Sequence, residues 1–397
     1  MNEQRVKEAL SRAKHFIDAL TVDSEVNVPA EVVTNENRYF SWDNEHRNPE
    51  EKPYLFNWSY YNGVITEGLY YIYQQNPEAG QKYLDYAISY LNAMLVEEDG
   101  KISLNRRTAG YVDYHGVDCY KTASLVALLM DRDERYGKLA ADLYRDLTDE
   151  NHINSKGNCI AREYSEEALG GNYWHSWAGG KPPKYKVWLD GIYMVQPFLA
   201  RYAAKIGDRA QQEKIARRLQ WVAKNLLAPN GLYYHAGNSA EDICPYHWLR
   251  AIGWYAMAMA DAIEYLPDDL AAEIAPNIKL LADGMLKFQD PSGMWPNVVN
   301  WPVTETNRLE TSGTVMIVYM ILKAIRLGYL DPCYREAAVR AFVGTVEREL
   351  SDKGLADIYL MAAANNTNNY EIPDYYKTNE GKGAGPFIMA YSEMIKI

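Results

Sequence analysis

One carboxylate near the middle of the chain lies among large apolar and aromatic residues. Asp190 is set in the segment KVWLDGIYM, residues 186–194. A carboxylate in apolar surroundings is costly unless it is protonated, paired or hydrogen-bonded. Asp190 is therefore the first candidate for acid-base chemistry. The alternative is a helix N-cap, because Asp is favoured at that position and an apolar helical pattern follows at once.

The aromatic composition points to a surface that is half wet and half apolar. The chain has 33 Tyr and 10 Trp but only 7 Phe. Aromatic rings with a polar group suit such surfaces, and sugar-binding clefts are among them. The alternative is that the Tyr side chains fill helix interfaces, where a buried Tyr needs only one hydrogen-bond partner.

Charge and cysteine content exclude several classes of function. The net charge of −12 argues against binding to nucleic acid or to an anionic membrane. The four cysteines are far apart and match no zinc-ligand spacing, so we expect reduced thiols, no metal and no cofactor. The first 20 residues form a charged amphipathic pattern, and no apolar run of 18 residues follows. We therefore expect a soluble, cytoplasmic protein.

Glycine-containing turns divide the chain at regular intervals. They lie at residues 98–100, 155–157, 229–231, 291–293 and 352–354, 57 to 74 residues apart. Between turns, an apolar and aromatic helical stretch alternates with a charged amphipathic one, so each unit is a helical hairpin. The aromatic stretches begin near Trp58, Asp118, Trp188, His247, Glu310 and Gly383, and the charged ones near Glu3, Pro77, Glu134, Asp208, Asp268 and Pro332.

This alternation predicts two concentric rings of six helices. A helix that is apolar nearly all round must be buried, whereas one with a charged face must lie outside. The prediction is an all-α, (α/α)6 barrel formed by one domain, residues 1–397, because no linker divides the chain. The competing architecture is an open solenoid of helical hairpins.

Five motifs in order resemble those of the unsaturated rhamnogalacturonyl hydrolases, glycoside hydrolase family 105, which are related to the unsaturated glucuronyl hydrolases of family 88. From about Trp58 to the C-terminus they are WxYxxGV (58–64), WLDGIYM (188–194), WxRxxGWY (248–255), ExSG (310–313) and GxGPF (383–387). The resemblance implies an (α/α)6 barrel. It also implies the substrate: pectin-derived oligosaccharides with a 4,5-unsaturated galacturonate at the non-reducing end.

The resemblance makes Asp190 the general acid, and then the base that activates water. The substrate's C4=C5 bond is an enol ether, so protonation of C4 makes C5 electrophilic, and water adds there. The resulting hemiketal opens and releases the remaining sugar. Asp190 must be protonated at rest, and the family supplies a second carboxylate that matches Asp118. Asp118 could instead be an N-cap, and Asp113 is a weaker candidate for its role.

The resemblance also places a binding constellation around these carboxylates. Arg250 offers a planar, bidentate fit to a uronate carboxylate, although it could form a structural ion pair instead. Tyr60 and Trp295 could stack on sugar faces, and Trp295 could equally anchor a loop. The remaining predicted binding residues are His175, Trp188, Met194, His235, Trp248 and Trp254.

The sequence departs from the family pattern in two loops. Residues 236–239 read AGNS where relatives carry Gly-Trp-Asp, and Ser176 follows His175 where Lys is expected. The loop 170–186 is also longer than usual, so the identity of the sugar after the unsaturated residue is left open. Alternatives are an unsaturated glucuronyl hydrolase, a conventional inverting glycosidase and a non-catalytic sugar-binding protein.

Overall fold

The computed structural model describes residues 2–23, 60–98, 101–104, 117–148, 187–352, 354–359, 376–379 and 381–397. Within these ranges the chain forms twelve α-helices, two short 3-10 helices and eight short strands. The helices form two sets that alternate along the chain, one apolar and one amphipathic. This is the alternation that the sequence predicts.

The first set forms the inner ring. Its members are α2 (Tyr60–Gln75), α4 (Ala123–Leu129), α6 (Leu189–Ile206), α8 (Leu249–Ala262), α10 (Thr311–Arg326) and α12 (Gly381–Met394). Each packs against the next in this order, and α12 packs against α2, so the ring is closed. The closed ring confirms the (α/α)6 barrel and excludes the open solenoid.

The second set surrounds the first. Its members are α1 (Glu3–Leu20), α3 (Pro77–Met94), α5 (Glu134–Thr148), α7 (Arg209–Leu226), α9 (Asp268–Leu286) and α11 (Arg335–Glu349). Helices α3, α5, α7, α9 and α11 each pack on the inner helix that precedes them, and α1 packs on α12. We call the end of the barrel at which the inner helices begin its mouth. Because the two sets run antiparallel, the outer helices end there.

Burial explains which helix joins which ring. Every residue of α8 is buried, as are the first fourteen of α10. The outer helix α5 instead buries only one stripe of its surface. Inner helices approach one another closely, since a side chain at Gly313 on α10 would collide with Leu249 on α8. None of the described helices combines the length and apolarity needed to cross a membrane.

Short antiparallel strands join the helices near the mouth. The strand pair β1 (Leu95–Glu98) and β2 (Lys101–Leu104) follows α3. A three-stranded sheet contains β3 (Val187–Trp188), β4 (Ala236–Gly237) and β5 (Ile243–Cys244). A second one contains β6 (Leu350–Ser351), β7 (Gly354–Tyr359) and β8 (Tyr376–Thr378).

The predicted turns at 229–231, 291–293 and 352–354 contain glycines whose φ angles are positive. Gly231, Gly293 and Gly354 have φ of 90°, 95° and 108°, a region that side chains other than glycine rarely adopt. The other two predicted turns include residues outside the described part of the chain.

A buried cluster of charged residues crosses the barrel below the mouth. We call Glu67, Lys121, Arg201, Asp261 and Lys323 the ionic cluster. Lys121 Nζ lies 2.6 Å and Arg201 Nη1 2.7 Å from Glu67, and Lys323 Nζ lies 2.7 Å from Asp261. Burial would raise the pKa values of both carboxyls, but the surrounding cations outweigh it and lower them. The cluster therefore stays ionised and connects five segments of the inner ring.

Candidate active site

Asp190 lies at the mouth, in the first turn of α6. The N-cap of this helix is Trp188, and Asp190 is its second residue, so the capping interpretation of Asp190 is wrong. Its side chain is 17% exposed. Strand β3, directly before the helix, pairs with β4, and the Leu189 N–H donates to the His235 carbonyl over 3.1 Å. The small sheet therefore fixes the backbone of Asp190 beside that of His235.

His235 is the charged partner of Asp190. Its Nε2 lies 3.3 Å from Asp190 Oδ2, and its side chain is fully buried. The ring lies between the indoles of Trp188 and Trp248, with centroid distances of 5.6 and 4.9 Å. Burial alone would lower the pKa of His235, but its close contacts with Asp190 and Cys244 raise it to about 9. These contacts favour the imidazolium form of His235.

Asp118 is the second carboxyl at the mouth. It lies in the 3-10 turn Val117–Tyr120 and is 6% exposed. Since the N-cap of α4 is Thr122, the capping interpretation is wrong here too. Burial first, and then the negative charge of Asp190, raise the pKa of Asp118 to about 7, while Lys382 acts in the opposite direction. Asp118 therefore keeps its proton to a much higher pH than a carboxyl in water does.

The expected resting protonation state of Asp190 stays a prediction. That expectation made Asp190 the neutral carboxyl. In the structure, burial and the charge of Asp190 raise the pKa of Asp118, while Asp190 Oδ2 lies 3.3 Å from His235 Nε2. The three groups form one proton-holding unit, which we call the Asp118–Asp190–His235 group.

Arg250 lies beside this group and already has an acidic partner. Its Nη1 lies 3.4 Å from Glu310 Oε1 and 3.2 Å from Ser312 Oγ, and its guanidinium lies 4.4 Å from the Trp248 ring centroid. Glu310 is the N-cap of α10 and accepts from the N–H groups of Ser312 and Gly313. Arg250 therefore has the structural ion pair given as the alternative, and its planar group is fixed at the mouth.

A column of aromatic rings descends from the mouth to the ionic cluster. Tyr60 meets the edge of Trp254 at 6.2 Å, and Trp254 stacks on Tyr193 at 5.1 Å. Lys121 Nζ lies 3.9 Å from the Tyr193 centroid. Met194, next to Tyr193, is 1% exposed. The column gives the site an apolar wall, and its lowest ring, Tyr193, contacts Lys121 of the ionic cluster.

One of the predicted binding residues, Trp295, does not join this arrangement, and another, His175, cannot be placed relative to it. Trp295 is fully buried and donates its indole N–H to the Met285 carbonyl on an outer helix over 2.8 Å. This is the loop-anchoring alternative, so Trp295 does not belong to the site. His175 and the loop 170–186, like Asp113, lie outside the described residues.

Sequence reasoning missed two residues at the site. Lys382, at the start of α12, acts electrostatically on Asp118. Cys244, on β5, hydrogen-bonds with His235. Lys382 directly precedes one of the motifs and could have been found there. No sequence pattern pointed to Cys244, because its contact with His235 depends on the pairing of β4 with β5.

Comparison with known proteins gives the family. The sequence profile described as Glycosyl Hydrolase Family 88 matches residues 32–397. Protein Atu3128 of Agrobacterium fabrum is 31% identical over 226 residues, which are 50% of this chain and 97% of that protein. Unsaturated rhamnogalacturonyl hydrolase YesR of Bacillus subtilis is 25% identical over 224 residues, 53% of this chain and 60% of that protein.

Solved structures agree with these sequence matches. A family 105 glycoside hydrolase from C. acetobutylicum superposes with a TM-score of 0.70 at 26% identity, covering 86% of this chain and 94% of that one. An unsaturated glucuronyl hydrolase from Bacillus sp. GL1 shares the fold, with a TM-score of 0.60 at 16% identity over 84% and 86% of the two chains. The resemblance indicated by the motifs is confirmed, and the chain belongs to glycosyl hydrolase family 88 and is a glycosidase.

Proposed function

We propose that the protein is an unsaturated rhamnogalacturonyl hydrolase, with residues 1–397 as a single catalytic domain. Its substrate is an oligosaccharide that begins with a 4,5-unsaturated galacturonate. It hydrates the C4=C5 bond and releases the unsaturated sugar in its keto form together with the remaining chain. The relationship to YesR supports the rhamnogalacturonyl class. A cytoplasmic location remains a prediction from the sequence.

The observation that carries the proposal is the Asp118–Asp190–His235 group. Protonation of an enol ether requires one acid whose pKa lies near the working pH. Here the partly exposed carboxyl of Asp190 lies 3.3 Å from the buried ring of His235. Its charge also helps to raise the pKa of Asp118 to about 7. The unit therefore holds a transferable proton near neutral pH, next to the indole of Trp188, which is partly exposed at the mouth.

In the proposed reaction a proton of the Asp118–Asp190–His235 group passes through Asp190 to C4. Positive charge develops at C5 and on the ring oxygen, and water adds its oxygen to C5. A proton of that water returns to the carboxylate, so the group ends as it began. The hemiketal then opens and expels the remaining sugar. Asp118 and His235 set the protonation of Asp190, while Arg250, held against Trp248, faces the substrate carboxylate.

The test follows the conjugated double bond by its ultraviolet absorbance. The protein should remove this absorbance from lyase-generated rhamnogalacturonan oligosaccharides and leave saturated chromogenic glycosides intact. Asp190→Asn should lower the rate by at least about 100-fold, the usual range for a lost general acid. Asp131→Asn is the matched control, because Asp131 is exposed and pairs with Lys205 on the outside.

Two results would change the assignment. An unaltered rate in Asp190→Asn would remove Asp190 from the chemistry. Faster turnover of unsaturated glucuronyl oligosaccharides than of galacturonyl ones would move the protein to the class named for the Bacillus sp. GL1 neighbour.

A further inference from the structure

The two carboxyls at the mouth are carried by separate elements that meet at one buried lysine. Asp118 lies in the 3-10 turn Val117–Tyr120, and Asp190 lies in the first turn of α6. Lys121 directly follows the 3-10 turn, and its side chain is fully buried. The contacts of this lysine reach the support of each carboxyl.

The first contact is with the backbone of Asp118. The Lys121 N–H donates to the Asp118 carbonyl over 3.3 Å. The carboxyl oxygen Oδ1 of Asp118 is buried and has no hydrogen-bond partner among the described residues. A 3-10 turn has poorer hydrogen-bond geometry than an α-helix and is short. The placement of the Asp118 carboxyl therefore depends on how firmly this turn is anchored.

The second contact is with the helix that carries Asp190. Lys121 Nζ lies 3.9 Å from the centroid of the Tyr193 ring. Tyr193 is the third residue after Asp190 on α6, so the two side chains are neighbours on the same face of the helix. Trp254 stacks on the same ring at 5.1 Å. Lys121 thus packs directly below the turn that bears Asp190.

Buried ion pairs hold the lysine in place. Lys121 Nζ lies 2.6 Å from Glu67 Oε2 and 3.3 Å from Ser124 Oγ. Glu67 comes from α2, and it also pairs with Arg201 of α6 over 2.7 Å. All of these side chains are buried. Because moving the ammonium group would leave a buried carboxylate without its cation, Lys121 is a fixed point between the two supports.

We propose that Lys121 is a positioning residue that sets the spacing between the carboxyls of Asp118 and Asp190. The inference rests on the proposed function, since it assigns both carboxyls to proton transfer. A displacement of about 1 Å in a reacting group can lower a rate by about 100-fold. Lys121 is buried below the mouth, so it acts through the two supports and not by touching the substrate.

The test removes the lysine together with the charge of its partner. Lys121→Met combined with Glu67→Gln takes away one positive and one negative charge, so no buried carboxylate is left without its cation. In this double variant kcat on an unsaturated disaccharide should fall at least about 10-fold, and KM should stay unchanged. The matched control is Lys323→Met combined with Glu264→Gln, a pair 2.8 Å apart beside the same cluster. This control should keep the kcat of the parent.

NMR titration of the Asp118 carboxyl is a second readout, which a loss of overall stability would not move. Asp190 on α6 raises the pKa of Asp118, and Lys382 on α12 lowers it. When the spacing loosens, the repulsion by Asp190 weakens. The pKa of Asp118 should therefore lie below that of the parent in the Lys121 double variant and equal it in the Lys323 control. Asp118→Asn identifies the resonance.

The outcomes separate this proposal from the proposed function. Equal changes in both double variants, or the parent's value for either readout in the Lys121 double variant, would overturn the positioning role. A parent protein that is inactive on the unsaturated disaccharide would refute the proposed function instead. The titration needs no substrate, so it still tests the spacing in that case.

Discussion

Replacing Asp118 with Asn should change how the stability of the protein depends on pH. Burial and the charge of Asp190 raise the pKa of Asp118 from 3.8 to about 7. The folded protein therefore keeps a proton that the unfolded chain releases, and stability falls as the pH rises through this window. A difference of about 3 pKa units, at about 1.4 kcal/mol each, amounts to about 4 kcal/mol.

The amide introduced by Asp118→Asn is uncharged at every pH, so the variant lacks this loss. We compare the free energies of unfolding of the two proteins. The parent value minus the variant value should fall by up to about 4 kcal/mol between about pH 4 and about pH 7, and it should stay level above pH 7. Urea unfolding of both proteins across this range measures the difference directly. Titrating groups that do not interact with Asp118 cancel, because both proteins contain them.

Repeating the comparison in a protein that carries Asp190→Asn separates the two causes of the raised pKa of Asp118. In Asp190→Asn the neighbouring charge is gone, so only burial acts on Asp118, and the pH-dependent difference should shrink. A parent-minus-variant difference that stays flat from acid to neutral pH would refute the reasoning. It would mean that Asp118 is ionised in the folded protein, and that the resting proton is held elsewhere.

The remaining predictions concern the groups around this carboxyl. His235→Gln should remove stability that is fully present below about pH 6.5 and is lost as the pH rises through about 9. The raised pKa makes this stability about 3 kcal/mol, at about 1.4 kcal/mol per pKa unit. Urea unfolding of parent and variant over this pH range measures it, and a difference that does not change with pH would contradict a charged His235. Lys121→Met should cost about 3–5 kcal/mol, because it leaves Glu67 with one fewer buried cation. Lys205→Met, which removes an exposed pair with Asp131, should cost less than about 1 kcal/mol, and equal losses in the two lysine variants would contradict the buried pairing.

Much of the fold could be predicted because its periodicity is local. The stretch LRAIGWYAMAMADA has no charged face, so it has to be surrounded by protein. The predicted start of the charged stretch near Pro77 coincides with α3, whose N-cap is Asn76 and whose first residue is Pro77. Such patterns depend only on residues that are close in sequence, so they predict the same helices in the folded protein. The ring closure of α12 on α2 follows from counting six hairpins.

The partners of the charged residues could not be predicted, because they lie far apart in the chain. Arg250 meets Glu310, 60 residues later. Lys121 meets Glu67, 54 residues earlier. No spacing rule connects such positions, since the contact depends on which inner helices are neighbours and on how they are rotated. For the same reason the sequence did not reveal that burial would raise the pKa of Asp118 to about 7.

The signal that first pointed to Asp190, a single carboxylate in an apolar helix, also describes Glu67 and Asp261. What separates them is the chemistry of the partner. Glu67 and Asp261 face Lys and Arg side chains, which stay charged and keep the carboxylates ionised. Asp190 faces His235, whose ring gives up a proton more readily than a Lys or Arg side chain does, and it lies at the mouth with part of its surface exposed. A lone buried carboxylate therefore indicates acid-base chemistry only where its neighbour titrates and substrate can reach it.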